Sequence, residues 1–431
     1  DKGKEVHHEI ITMGLVLEKD IVLSNALVDM YVKCGHVRDA QRMHDQVRAR
    51  DIVSWNALIA GYAQQGQGHE ALVSFRLMRR DGYCPDVVTL TCILKGCGSI
   101  GDTTKGKELH CEIVDRGLLS ENTLLGNSLV DMYAKCGEFE IAKKVHEELP
   151  FRDIISWNAL ISGYTDWGHS REALNCFEQM QYAGQTPDVV TLTCILKACG
   201  SMRAIQEGKE VHNVISQRGL LEKDCMLGIS LVDMYAKCGL LEKAQRVHDG
   251  LPFRDANSWK ALTSGYVQKQ RNSELLKCYD MILSEGLFPD VVTLVSILKG
   301  CGNIQDLEKG KQIHDEIVNR GLLKRNVVIG NALMDMYAKC GHLEKAQEVF
   351  YKLPEHNLVS WNALIAGYTQ QGQGKEALDL FESMKNEGYS PDAVTFTCIL
   401  KSCGSVGAID KGKHIHDEII RRDFLENDVV L

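Results

Sequence analysis

The chain has 431 residues, 44% of them hydrophobic, with 49 lysines and arginines against 58 aspartates and glutamates, a net charge of −9. That balance excludes a generally basic nucleic-acid coat, so contact with a polyanion must rely on a local strip. No apolar run approaches the roughly 18–20 residues that a membrane span needs.

Taken in order, the chain opens on DKGKEVHHEI, which matches the middle of a later segment, TKGKELHCEI from Thr104. The N-terminus therefore reads as trimmed, and the lack of a targeting segment says nothing about destination. The first landmark is NALVDMYVKCG from Asn25, which returns as NSLVDMYAKCG from Asn127, ISLVDMYAKCG from Ile229 and NALMDMYAKCG from Asn331. The starts are 102 residues apart each time. So constant a spacing means a modular array, and solenoids grow without one closed core.

Each period divides into three helix–turn–helix units, first Ile21–Asp51, Ile52–Asp86 and Val87–Asn122, of 31, 35 and 36 residues. The pattern continues through periods 123–224, 225–326 and 327–428, with a partial unit at 1–20 and the start of another at 429–431. The seven prolines all punctuate unit ends, as helical units require.

The unit Ile154–Asp188 shows the helical logic. Trp157, Leu160, Ile161 and Tyr164 form one apolar stripe; Ala173, Leu174, Phe177 and Met180 form another, with Gly168 at the turn and Gly184 and Pro187 at the end. Two short amphipathic helices cannot bury both stripes alone, so neighbours must stack. The fold class is all-α: a superhelix whose concave face is lined by the first helices. Of the sixteen cysteines, most recur with the repeat and read as buried thiols in a reducing compartment.

The triplet of 31-, 35- and 36-residue units, with SWNALIAGY, VVTLTCILKGCGS and NSLVDMYAKCG in turn, closely resembles a pentatricopeptide repeat array. It is similar to the plant PLS class, in which short (S), standard (P) and long (L) motifs alternate. The resemblance covers essentially the whole chain. It implies a right-handed superhelical solenoid that binds single-stranded RNA in a mitochondrion or chloroplast, as the specificity part of a cytidine-to-uridine editing factor or in another RNA processing step. It implies no cofactor, no metal and no catalytic residue here. The deaminase would be a missing C-terminal domain or a separate protein, and organellar helper proteins are further implied partners.

In such arrays one base is read per repeat by a few side chains. By resemblance, the fifth and last residues of a motif choose the base. Asn25 with Asp51, Asn56 with Asp86, Asn127 with Asp153, Asn158 with Asp188 and Asn362 with Asp392 resemble uridine readers. Asn331 with Asn357 resembles a pyrimidine reader favouring cytidine. In the long motifs, which follow the family code poorly, Thr91 with Asn122 suggests adenosine, and Thr193 with Asp224 and Thr397 with Asp428 suggest guanosine. Base-stacking positions are Val22, Val53, Val88, Leu124, Ile155, Val190, Met226, Val292, Val328, Val359 and Val394. Lys33, Lys135, Lys237 and Lys339 stand where the family often places a phosphate contact. Ile229, Lys260 and Val295 replace the expected amide or hydroxyl, and Asn257 replaces an apolar stacker, so the middle is expected to be non-selective or unoccupied. The implied footprint is U-U-[A]-U-U-[G]-n-n-n-Y-U-[G].

Blander readings compete at each motif. A single Asn early in a helix is more often a cap or turn residue; six at one unit position, each followed by Asp or Asn at the unit end, favour base reading. Trp55, Trp157, Trp259 and Trp361 precede the reading position by one residue and should point into the helix stack. His110–Glu112, His314–Glu316 and His416–Glu418 supply half of a deaminase zinc site, but the chain has no Pro-Cys pair to complete it. Gly101–Lys107 and Gly407–Lys413 fit the start of a phosphate loop without the following Ser or Thr. Cys92–Cys97 and Cys194–Cys199 are spaced for neither zinc nor redox pairing. The alternative function is a helical-repeat scaffold that binds protein, which the acidic balance favours and the recurrent Asn/Asp pairs disfavour.

Overall fold

The computed structural model describes residues 2, 5, 7, 10, 21–46, 50–120 and 122–421. Among them lie 24 α-helices of 9 to 14 residues and no strand, the secondary structure of an all-α helical-repeat solenoid. Numbered in chain order from Ile21, the odd helices are the first of each pair. They are α1 Ile21–Lys33, α3 Ile52–Gln64, α5 Val87–Ile100, α7 Thr123–Lys135, α9 Ile154–Asp166, α11 Val189–Met202, α13 Cys225–Lys237, α15 Ala256–Gln268, α17 Val291–Ile304, α19 Val327–Lys339, α21 Leu358–Gln370 and α23 Ala393–Val406. The even helices follow each after a short turn. Contacts divide the chain into two compact bodies, Asp1–Arg218 and Gly219–Leu431. Within each body every odd helix packs on the next odd helix, and every even helix wedges between its own partner and the odd helix that follows.

Eight of the odd helices start where they do because a short polar side chain caps the first turn. Asp51, Asp86, Asp153, Asp188, Asp255, Asp290, Asn357 and Asp392 are N-caps whose side chains accept a hydrogen bond from the backbone N–H three residues on. Each cap stabilises its helix by roughly 1 kcal/mol. At α3, α5, α11, α15, α21 and α23 the third helical residue, Ser or Thr, returns the bond to the cap's own N–H.

The tryptophans face the core. Trp55, Trp157, Trp259 and Trp361 are at most 4% exposed. The first three rings pack on buried His44, His146 and His248 at centroid distances of 4.3, 4.3 and 4.2 Å, and Trp361 packs on Phe350 at 4.7 Å. A buried tryptophan removes about 200 Å² from water, worth about 5 kcal/mol at the usual coefficient. One glycine per period sets how closely two odd helices approach. A Cβ on Gly163 would fall 2.6 Å from the Ala134 Cβ, and one on Gly61, Gly265 or Gly367 would fall 2.7 Å from Val32, Ala236 or Ala338.

Candidate nucleic-acid interface

The N-terminal ends of consecutive odd helices lie side by side, and the same three positions recur at each: the cap, the second residue and the fifth. Because the last residue of one repeat caps the first helix of the next, that cap stands beside the fifth residue of the preceding odd helix. In five places the two are bonded. Asn56 Nδ2 donates to both carboxylate oxygens of Asp86 at 3.1 and 2.9 Å. Asn25 does the same to Asp51, Asn127 to Asp153, Asn158 to Asp188 and Asn362 to Asp392, all between 2.9 and 3.1 Å.

A third residue closes three of these pairs, and the sequence reading missed it. Thr89, Thr191 and Thr395 donate their hydroxyls to the carbonyl oxygens of Asn56, Asn158 and Asn362 at 2.5, 2.6 and 2.6 Å. The same threonines cap back to Asp86, Asp188 and Asp392 through their N–H groups. The recurring Asp-x-x-Thr was the available signal, since it is a capping pattern. At Asn25, Asn127 and Asn331 the following helix has no such threonine, and the amide oxygen is enclosed without a partner. Burial pushes the Asp392 carboxyl up, but the Thr395 N–H and hydroxyl and the Asn362 amide outweigh it and hold the group below the ordinary aspartate value.

The remaining expected readers are arranged differently. Asn331 and Asn357 form no mutual hydrogen bond among the described contacts; Asn357 accepts from the N–H and hydroxyl of Ser360. Thr91 and Thr397 donate to their own helix, to the carbonyls of Val87 and Ala393. Asn122 donates to Leu118 O, Asp224 caps α13 through the N–H groups of Met226 and Leu227, and Asp428 lies outside the described residues. In the middle repeats Ile229 and Val295 carry no polar group toward the neighbouring cap. Lys260 does: its Nζ is 3.4 Å from Asp290 Oδ2.

The second residue of every odd helix is a large apolar side chain held in solvent, with one exception. Val22, Val53, Val88, Leu124, Ile155, Val190, Met226, Val292, Val328, Val359 and Val394 are all at least 50% exposed. Asn257 is exposed at the twelfth place. Within each of the two bodies these exposed apolar side chains hold one register, helix after helix, unlike the singly scattered apolar residues of an ordinary surface.

Lys33, Lys135, Lys237 and Lys339 are the last residues of α1, α7, α13 and α19, eight residues from the fifth position, or about 12 Å along the axis. Each is ion-paired with the aspartate four residues before it, Asp29, Asp131, Asp233 and Asp335, at 2.7–2.8 Å. His110 and His314 each place Nδ1 against a tyrosine hydroxyl, Tyr133 at 3.0 Å and Tyr337 at 2.8 Å, so both rings are spent on helix packing. His416 is exposed.

Comparison with known proteins places this arrangement. A PPR repeat model matches residues 22–52, 88–118, 127–154, 229–252, 331–358 and 394–424, and a PPR repeat family model matches 50–99, 152–201 and 356–405; together they cover well over half of the chain. The chain is 34% identical over 410 residues to the pentatricopeptide repeat-containing protein At5g27110 of Arabidopsis thaliana, covering 95% of this chain and 59% of that protein. It is 35% identical over 404 residues to the chloroplastic At4g18520 of the same plant, covering 94% and 64%. Other relatives are named chloroplastic or mitochondrial. The chain thus spans between about half and two thirds of the length of the first curated relatives it matches, 59%, 51% and 64%. Among solved structures it is similar to the pentatricopeptide repeat protein PPR10 from maize, with a TM-score of 0.61 at 20% identity, covering 98% of this chain and 66% of that one, a likeness of fold. The repeat matches and the full-length similarity agree: the chain belongs to the pentatricopeptide repeat family.

Proposed function

We propose that the chain binds single-stranded RNA by reading one base per repeat, as the specificity part of an organellar RNA-editing or other RNA-processing factor. The observation that carries this reading is the Asn–Asp bridge between one odd helix and the next, made five times, with an exposed apolar second residue beside each. Adjacent packed helices lie about 8–10 Å apart, which leaves room for one flat base between successive apolar residues. Stacking of that kind is worth roughly 1–3 kcal/mol per base, so many repeats bind tightly without a basic surface. The bridge offers an amide N–H beside a carboxylate, which complements the adjacent carbonyl and N3–H of uracil.

On this reading Asn25/Asp51, Asn56/Asp86, Asn127/Asp153, Asn158/Asp188 and Asn362/Asp392 select uridine, and Asn331/Asn357 a pyrimidine. The periods 21–122, 123–224, 225–326 and 327–428 are S-P-L triplets. The threonine pairs keep their bracketed assignments, and no catalytic step is assigned to this chain; a deaminase and helper proteins would act from elsewhere. The naming of relatives supports a chloroplast or mitochondrial site of action. A gel-shift titration with the twelve-base footprint and a scrambled oligomer tests the reading. Preference for the footprint is expected. Equal affinity would sink coded readout, and binding of neither would favour the protein scaffold that the net charge of −9 suggests.

A further inference from the structure

The centre of the array does not lose its polar edge at the eighth repeat; it exchanges one edge for another. Lys260 occupies the fifth place of α15, where Asn56, Asn158 and Asn362 stand in the equivalent repeats, and Asp290 caps α17 as Asp86, Asp188 and Asp392 cap theirs. The Lys260 ammonium is 3.4 Å from Asp290 Oδ2, both side chains being partly exposed, at 49% and 39%. Asp290 Oδ1 accepts the N–H of Thr293 at 2.8 Å. Where Asn reaches both carboxylate oxygens at about 3 Å, the contact from Lys260 to Oδ2 is longer, 3.4 Å, and each oxygen of Asp290 keeps a second lone pair for a further donor. The aspartate stays charged: burial pushes its carboxyl up, but the Thr293 hydrogen bonds and the Lys260 charge bring it below the ordinary value.

We propose that Lys260 and Asp290 together select guanine. The inference rests on the single-stranded RNA reading above. Lysine has donors only, three N–H bonds and no acceptor, and a carboxylate has acceptors only. The pair therefore presents a donor beside two acceptor lone-pair sites. Guanine is the one base whose pairing edge runs acceptor, donor, donor: O6 meets the ammonium, and N1–H and the N2 amino group meet the carboxylate. Uracil presents acceptor, donor, acceptor, and sets its second carbonyl against the carboxylate. Cytosine and adenine each present an amino group to the ammonium. Both guanine contacts are charge-assisted, the stronger class of hydrogen bond. The stacking partners point the same way. The base would lie between exposed Asn257 and Val292, only one of them apolar, so the larger purine face recovers part of the missing contact.

The test uses four oligonucleotides identical to the footprint except at base eight, with base five varied separately as a control, all at one salt concentration. Guanine at base eight is expected to bind about tenfold more tightly than the other three, the size of one good bidentate discrimination. Lys260→Asn rebuilds the pairing already present at Asn56/Asp86, and is expected to move that preference to uracil with an unchanged circular dichroism spectrum. If the four bind alike while base five still discriminates, the inference falls and the RNA reading stands. If base five does not discriminate either, both fall. Weakening of all four to the same extent by Lys260→Asn, with a shallower salt dependence, makes Lys260 a phosphate contact and overturns the assignment.

Discussion

At the scale of single residues, one carboxylate does two structural tasks. Asp188 caps the start of α11 by accepting the Thr191 N–H, and it also holds Asn158 of its own repeat. The helix end and the candidate reading edge are therefore built from the same atoms. A different pair of residues records the cost of the packed core. His44 and His146 lie wholly inside, against Trp55 and Trp157, and none of their ring nitrogens finds a partner. Burial, helped by Arg50 and Arg152 respectively, lowers each imidazole to about 4. The folded state thus holds them neutral while the unfolded chain takes up protons below its ordinary value of about 6.5. Their stability contribution is full above pH 6.5 and is lost as pH falls toward 4. Between pH 7.5 and 5 the loss amounts to about 2 kcal/mol per histidine, from 1.36 kcal/mol per pH unit. Phe350 fills the same place against Trp361 in the fourth period, so His44→Phe with His146→Phe is a substitution the fold already tolerates. Thermal melting at both pH values is expected to show a smaller acid-induced drop in Tm for the double variant. An unchanged drop would mean that the histidines do not carry it.

At the scale of elements, the close approach of odd helices is what spaces the candidate reading edges. Gly163 lets α9 lie against Ala134 of α7, and those two helices carry Asn158 and Asn127. Gly163→Val inserts a branched side chain where even one carbon would meet Ala134 at 2.6 Å. Overpacking of that kind costs about 1–3 kcal/mol. The expected result is a lower Tm together with weaker binding of the footprint oligonucleotide at its fourth and fifth bases; a variant with wild-type Tm and affinity would show that the spacing is not set there. This level was largely legible in the sequence. The stripe Trp157–Leu160–Ile161–Tyr164 and the turn glycine Gly168 follow from helical period and from the left-handed backbone that only glycine adopts cheaply. What was not legible is which polar atoms meet. Nothing in the segment around Thr191 tells that its hydroxyl bonds Asn158, 33 positions away. Lys260 looked like a lost amide, because its reach to Asp290 depends on how two helices lie and not on either segment alone.

At the scale of the whole molecule, the RNA reading proposed above asks a chain of net charge −9 to hold a polyanion. Lysines were the natural candidates, and Lys33, Lys135, Lys237 and Lys339 recur with the repeat. Their aspartate partners were in plain view four residues earlier, in each copy of DMYVK or DMYAK, but i,i+4 spacing alone does not say whether a lysine turns along its helix or outward. All four turn along it. Exposed pairs of this type are worth well under 1 kcal/mol, so the energy that holds them is small; their position at the opposite end of each helix from its exposed apolar second residue weighs more. Affinity should then come from stacking and base-edge hydrogen bonds, and should depend weakly on salt. Each phosphate neutralised on a single strand contributes about −0.7 to the slope of log affinity against log salt. Replacing all four lysines with alanine is expected to leave that slope, and the footprint preference, unchanged in titrations from low to moderate salt. A slope shallower by about 3, the value for four lost phosphate contacts, would put these lysines on the RNA backbone and move the electrostatic strip to the opposite end of the odd helices.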